Sequence, residues 1–113
     1  MSLNHFCDQE LRNQIAPYLA SPNIVVNSKI NVVGTVPTPV PSSINVATVV
    51  RNSTGDYTVT YKTAVSIDAT FQATAFDAFA LVIASTTTDC QLRFYAYGGS
   101  LADPGSFSLL IIK

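Results

Sequence analysis

Apolar and polar positions alternate along most of this chain with a period of two, the spacing of a half-buried β-strand. Asp56 to Ala64 is the clearest case: Tyr57, Val59 and Tyr61 face one way, Thr58, Thr60 and Lys62 the other. Gln91 to Tyr97 repeats it, with Leu92, Phe94 and Ala96 against Arg93, Tyr95 and Tyr97. Further strands are expected over Ile44–Arg51, Ala69–Ala75, Phe79–Ser85 and Phe107–Ile112. Asn52-Ser-Thr-Gly55 reads as a tight turn, with Gly55 free to take a positive φ. The strands on either side of it should form a hairpin. Thr86 to Asp89 is a polar turn, and Gly98 to Gly105 is a loop rich in Gly, Pro and Asp.

Upstream the pattern differs. Residues 23–36 predict one or two strands with a turn at Asn27-Ser28, and Gly34 marks a bulge or a strand end. Pro37, Pro39 and Pro41 predict an extended connector outside any ladder. Residues 2–20 change period altogether. Leu3, Cys7, Leu11, Ile15 and Tyr18 recur at spacings of three and four, one stripe on a helix. Ser2 or Asn4 would cap it, and Asp8 and Glu10 lie near its positive end. Pro17 and Ser21-Pro22 end it. Such a helix cannot stand alone in water, so the stripe should dock on the β domain, on sister helices or on a partner.

The expected fold is therefore mainly β. It is an antiparallel, jelly-roll-like sandwich of seven or eight strands with a short N-terminal helix. Its parts are an anchoring helix (1–22), extended strands with a Pro-rich connector (23–41) and a β-sandwich head (42–113), in one compact unit overall. Val, Ile and Thr make up 32 of the 113 residues. That excess of β-branched side chains favours strands. Phe79–Ala84 and Leu109–Ile112 are apolar on both faces. A cover over the outer face is expected there, either the N-terminal helix or a neighbouring subunit.

Charge narrows the function classes. Only 12% of the residues are charged and the net charge is −1, about half the usual charged fraction. No basic run is present to displace counterions, which argues against nucleic acid. No apolar stretch approaches the ~20 residues of a membrane helix. Asn4, His5, Asp8 and Glu10 stand where the apolar core of a leader would lie, so folding in a reducing compartment is expected.

Candidate chemistry is sparse. His5, the single histidine, and Cys7 point about 200° apart on a helix and do not converge. Cys7 and Cys90 would pair only if geometry allowed, and free buried thiols are the default in a reducing compartment. Asp56, Asp68, Asp77, Asp89 and Asp103 all fall at turns or strand ends, where Asp bonds nearby backbone. Glu10 is the only Glu, so no carboxylate pair can be assigned to hydrolysis. The Asp103 loop lacks the ligand spacing of a calcium site. Asn52-Ser53-Thr54 matches a glycosylation sequon but reads first as a turn. Arg93, Tyr95 and Tyr97 share one face of a strand beside Gly98-Gly99. They would form a sugar-binding platform, an outer sheet face or a subunit contact. No catalytic residue, metal or cofactor is expected.

From Ser42 to Lys113 the chain resembles the small β-sandwich heads at the C-termini of tailed-bacteriophage tail fibres and related virion spikes. Ser43, Asn45, Val46 and Val49 match the first strand, Thr54 and Gly55 the turn, and Tyr57, Thr58, Val59, Tyr61, Thr63 and Ala64 the second strand. A loop with Ala102-Asp103-Pro104 before a final strand is similar too. The resemblance implies a homotrimer without catalytic activity, located on the virion. No fibre shaft is expected before the head, since residues 1–41 read as a helix and a proline-rich connector. That points to a small capsid decoration protein or spike, docked through Leu3, Cys7, Leu11, Ile15 and Tyr18. The alternative is a tail-fibre tip binding a host receptor or surface glycan through Arg93, Tyr95 and Tyr97. Expected partners are sister chains and other capsid or tail proteins, with neither nucleic acid nor membrane.

Overall fold

A computed structural model describes residues 24–113. The helix expected over residues 2–20, its stripe, His5 and Cys7 lie outside the described residues. The rest is all β, with eight strands: β1 (Ile24–Val33), β2 (Val36–Pro39), β3 (Val46–Ser53), β4 (Asp56–Tyr61), β5 (Thr70–Ala75), β6 (Phe79–Ser85), β7 (Asp89–Tyr95) and β8 (Ser106–Ile112). They form two four-stranded antiparallel sheets, β2-β1-β8-β5 and β3-β4-β7-β6. The sheets pack face to face in a sandwich-like arrangement around one core.

Alternation decides what enters that core. Tyr57 and Val59 of β4, Leu92 and Phe94 of β7, and Phe107, Leu109 and Ile111 of β8 are all buried. Three of the rings interlock. Tyr57 lies 5.5 Å from Phe94 and 5.4 Å from Phe107, and Phe94 lies 4.6 Å from Phe107, all in edge-on or tilted geometries. Such offsets suit the ring quadrupoles, and truncating a buried aromatic of this kind costs about 3–5 kcal/mol.

The structure corrects the upstream reading. β1 runs unbroken through Asn27-Ser28, and the turn comes instead at Gly34 (φ 65°). Ser28 points inward and is satisfied by the Ser43 hydroxyl at 2.7 Å, so its polarity marks a buried hydrogen bond and not a turn. The prolines are laddered too. β2 pairs with β1 as an edge strand, Pro37 opposite Val32 and Pro39 opposite Ile30. Prolines two apart place both missing N–H groups on one side, and the Val32 N–H points the other way, to Gly105 O at 3.0 Å. No ladder bond is lost. Val26 and Ile30 are fully buried in the same cluster as Leu109 and Ile111, so the head begins with β1 and not at Ser42.

Gly34, Gly55, residues 76–78 and residues 96–105 lie in the four connections at one end of the sandwich. Ile24, which pairs with Ile112, lies at the other. The N-terminal segment therefore joins at the near end, and the longest loop projects from the far end.

Candidate functional site

The far end is held by one carboxylate. Asp103, in the β7–β8 loop, accepts hydrogen bonds from Arg51 Nε (3.0 and 3.1 Å), Arg51 Nη2 (2.9 Å), the Gly55 N–H (2.9 Å) and the Tyr57 hydroxyl (2.9 Å). The Arg51 guanidinium, aided by the Gly55 and Tyr57 donors, holds the Asp103 carboxyl at about 2. Burial, with Asp103 beside it, pushes the Tyr57 phenol well above its usual value. Pro104 beside Asp103 is fully buried.

Gly55 has two reasons to be glycine. Its φ is +69°, and a Cβ there would lie 2.7 Å from Phe94 O and 2.9 Å from Ala102 N. Asn45 performs a similar service at the near end, with φ 61°. Its Nδ2 donates to Thr63 O at 2.9 Å and its Oδ1 accepts from Thr63 N at 2.7 Å. Ser43, Asn45, Gly55, Tyr57 and Asp103, which carry the sequence resemblance, are thus all occupied in fixing backbone.

Asp56 organises a second network, on the outer face of β3-β4-β7-β6. Its Oδ1 accepts from Asn52 Nδ2 (3.0 Å) and Gln91 Nε2 (2.8 Å), and its Oδ2 from Gln91 Nε2 (3.0 Å) and Arg93 Nε (3.2 Å). Burial pushes its carboxyl up, but the donors outweigh this and leave it below the usual carboxylate range. Asp56 stands at a strand end, as expected, but it is the buried first residue of β4 and serves side chains across the sheet.

The proposed ligand face is only partly assembled. Arg93 and Tyr95 alternate with buried Leu92 and Phe94, and so do face outward. Arg93 is paired with Asp56 through Nε at 3.2 Å, and its side chain stays 42% exposed. Tyr97 lies beyond the end of β7 and is 70% exposed. It packs edge-on against Phe79 at 4.9 Å. Phe79 (58% exposed) and Phe76 (70% exposed) belong to the same end. The signal for Phe79 is the two-sided apolar run of β6, which sequence alone assigns to a covered face, and no sequence signal marks Phe76. Among the described residues Phe79 and Leu81 remain open.

Cys90 is a free thiol, wholly buried, with burial pushing it up. Cys7, its suggested partner, is outside the described residues. Among the described residues no three His, Cys, Asp or Glu side chains gather as a metal ion would require. No protein-family model, curated protein or solved structure matches the chain.

Proposed function

We propose that this chain is a non-enzymatic structural protein of a tailed-bacteriophage virion. It is a small capsid decoration protein or spike, a homotrimer whose jelly-roll-like β head is displayed on the particle and whose N-terminal segment docks on capsid or tail proteins. The observation that carries the reading is the polarity of the head. Residues 1–23 join at Ile24 on the near end, and Phe76, Phe79 and Tyr97 stand exposed at the far end. An anchored, outward-facing head requires that separation.

Two further features support it. Gly55, Tyr57 and Asp103, which match the phage-head pattern, hold the turn and the closing loop together, which suits a fixed tip. The carboxylates of Asp56 and Asp103 have their oxygens taken up by internal donors.

The test is incorporation. A chain lacking residues 1–20 should keep its β signature in circular dichroism and fail to enter particles. Truncated protein found in particles at the full-length level would sink the proposal.

The exposed Phe79–Tyr97 pair favours a second reading, a receptor- or carbohydrate-binding head. Exposed aromatic faces stack on sugar rings while a tyrosine hydroxyl stays wet. A glycan-array signal abolished by Tyr97→Ala would support it, and a flat array for the parent chain would count against it.

A further inference from the structure

Sheet edges that stay open recruit other chains, and proteins blunt them with proline, bulges, charge or a covering helix. Three of the four edges here carry such a device. β2 has Pro37 and Pro39. β3 has register breaks at Val46/Thr48 and Arg51/Ser53. β6 has one at Val82/Ala84. β5 has none. Its six residues (TFQATA) carry no charge and no proline, and pair with β8 without a register break.

Among the described residues that edge is bare, and the sandwich beside it is unfilled. Phe71 and Ala73 of β5 and Ala80 and Val82 of β6 pair with fully buried residues and so point inward. They are nonetheless only half-buried. They line a groove of about 630 Å³, flanked by Gln72 and Leu81. Three of the inward positions along this side, Ala73, Ala75 and Ala80, are alanine, too small to close it.

We infer that this groove is the seat of the chain's own residues 2–18, which cover the β5 edge through Leu3, Cys7, Leu11, Ile15 and Tyr18. Where the chain enters supports this occupant. Ile24 and Thr70 both lie opposite Ile112, so β1 and β5 flank β8 at the near end. The position just outside β5 is three strand spacings from Ile24, about 14 Å. About five extended residues span that. Residues 19–23, with the Ser21-Pro22 break, supply them and leave the stripe free to begin at Tyr18.

Length agrees as well. The regular helix that the sequence predicts from Leu3 to the stop before Pro17 would be about 21 Å long, and six-residue β5 is about 20 Å. Cys7 stands nine residues from Ala16, about 14 Å along a helix, and Pro17 and Tyr18 add the last few ångströms toward the near end. Ala80 stands five residues up β6 from Ser85, about 16 Å. Cys7 therefore comes level with Ala80. The groove is uncharged, and so is the stripe.

Seating of residues 2–18 in the free chain does not rest on the virion reading. If both hold, the stripe cannot serve groove and particle at once, and docking requires its release.

The experiment is a cross-link in the full-length chain. A80C is oxidised in air with a copper–phenanthroline catalyst and analysed by mass spectrometry. The expected product is an intramolecular disulfide between Cys7 and the new thiol, with T38C, on the opposite edge, unlinked. A covalent dimer would place a sister chain's segment in the groove and overturn the assignment, as would no disulfide. Amide exchange gives an independent readout: in full-length L11K/I15K, exchange at residues 71–74 and 80–82 should rise about tenfold. Unchanged exchange would also overturn it. Failure of both, with particle docking still lost on truncation, would remove this inference and leave the virion reading standing.

Discussion

The hydroxyl of Tyr57 donates to Asp103 across 46 residues of sequence, at 2.9 Å. This bond joins the β3–β4 hairpin to the loop before β8, the two stretches on which the proposed resemblance rests. The same carboxylate takes the Gly55 N–H and the Arg51 fork. One side chain thus sets the turn, the ring beneath it and the closing loop.

Replacing it should be costly. Asp103→Ala leaves the Tyr57 hydroxyl and the Gly55 N–H without their acceptor. A buried donor left unpaired costs about 1–3 kcal/mol, so urea unfolding should show a loss of about 2–3 kcal/mol. Tyr57→Phe removes donor and demand together and should cost about 1 kcal/mol. Equal losses for the two variants would contradict this role.

The staple also sets an acid limit. The Asp103 carboxyl sits at about 2 in the folded chain and near 3.9 when unfolded. A lowered folded value means that the unfolded chain binds the proton first as pH falls. The stabilisation is therefore complete above about pH 5 and is lost between about pH 4 and pH 2. Asp56 contributes in the same direction. Urea midpoints measured from pH 6 to pH 2 should fall over that window, and Asp103→Asn should flatten the fall.

Two glycines with similar φ should respond differently to alanine. Gly34 (φ +65°) has no atom within 4 Å of where a methyl group would stand, so Gly34→Ala carries only the left-handed backbone cost, about 1–2 kcal/mol. Gly55→Ala adds a collision with the Phe94 and Ala102 backbones. Thermal denaturation should show a clearly larger drop in Tm for Gly55→Ala.

Much of this architecture is visible in the residue pattern, and the reasons are local. Tyr57, Val59 and Tyr61 alternate with threonines and form β4 as expected, and β6 has the expected bounds, Phe79–Ser85. Gly55 takes the positive φ that its turn required. What the pattern could not show is pairing at a distance. Pro37 and Pro39 look incompatible with a ladder until β1 is seen on one side only. Asp103 looks like a turn residue because Arg51 and Tyr57, its partners, lie some fifty residues away. Arg93 looks unpaired until Asp56 is placed beside it.

Oligomeric state bears on the account independently of any ligand. Light scattering of the purified chain should give three times the 12.1 kDa monomer mass. A stable monomer would remove the trimer, and a free-standing binding module would become the better reading.

The proposed virion role is tested most directly by quantitative mass spectrometry of gradient-purified phage particles from lysates in which this chain is produced. The chain should be present at a fixed copy number per particle, a multiple of three, and should survive gradient purification. Its absence from intact particles would contradict the account.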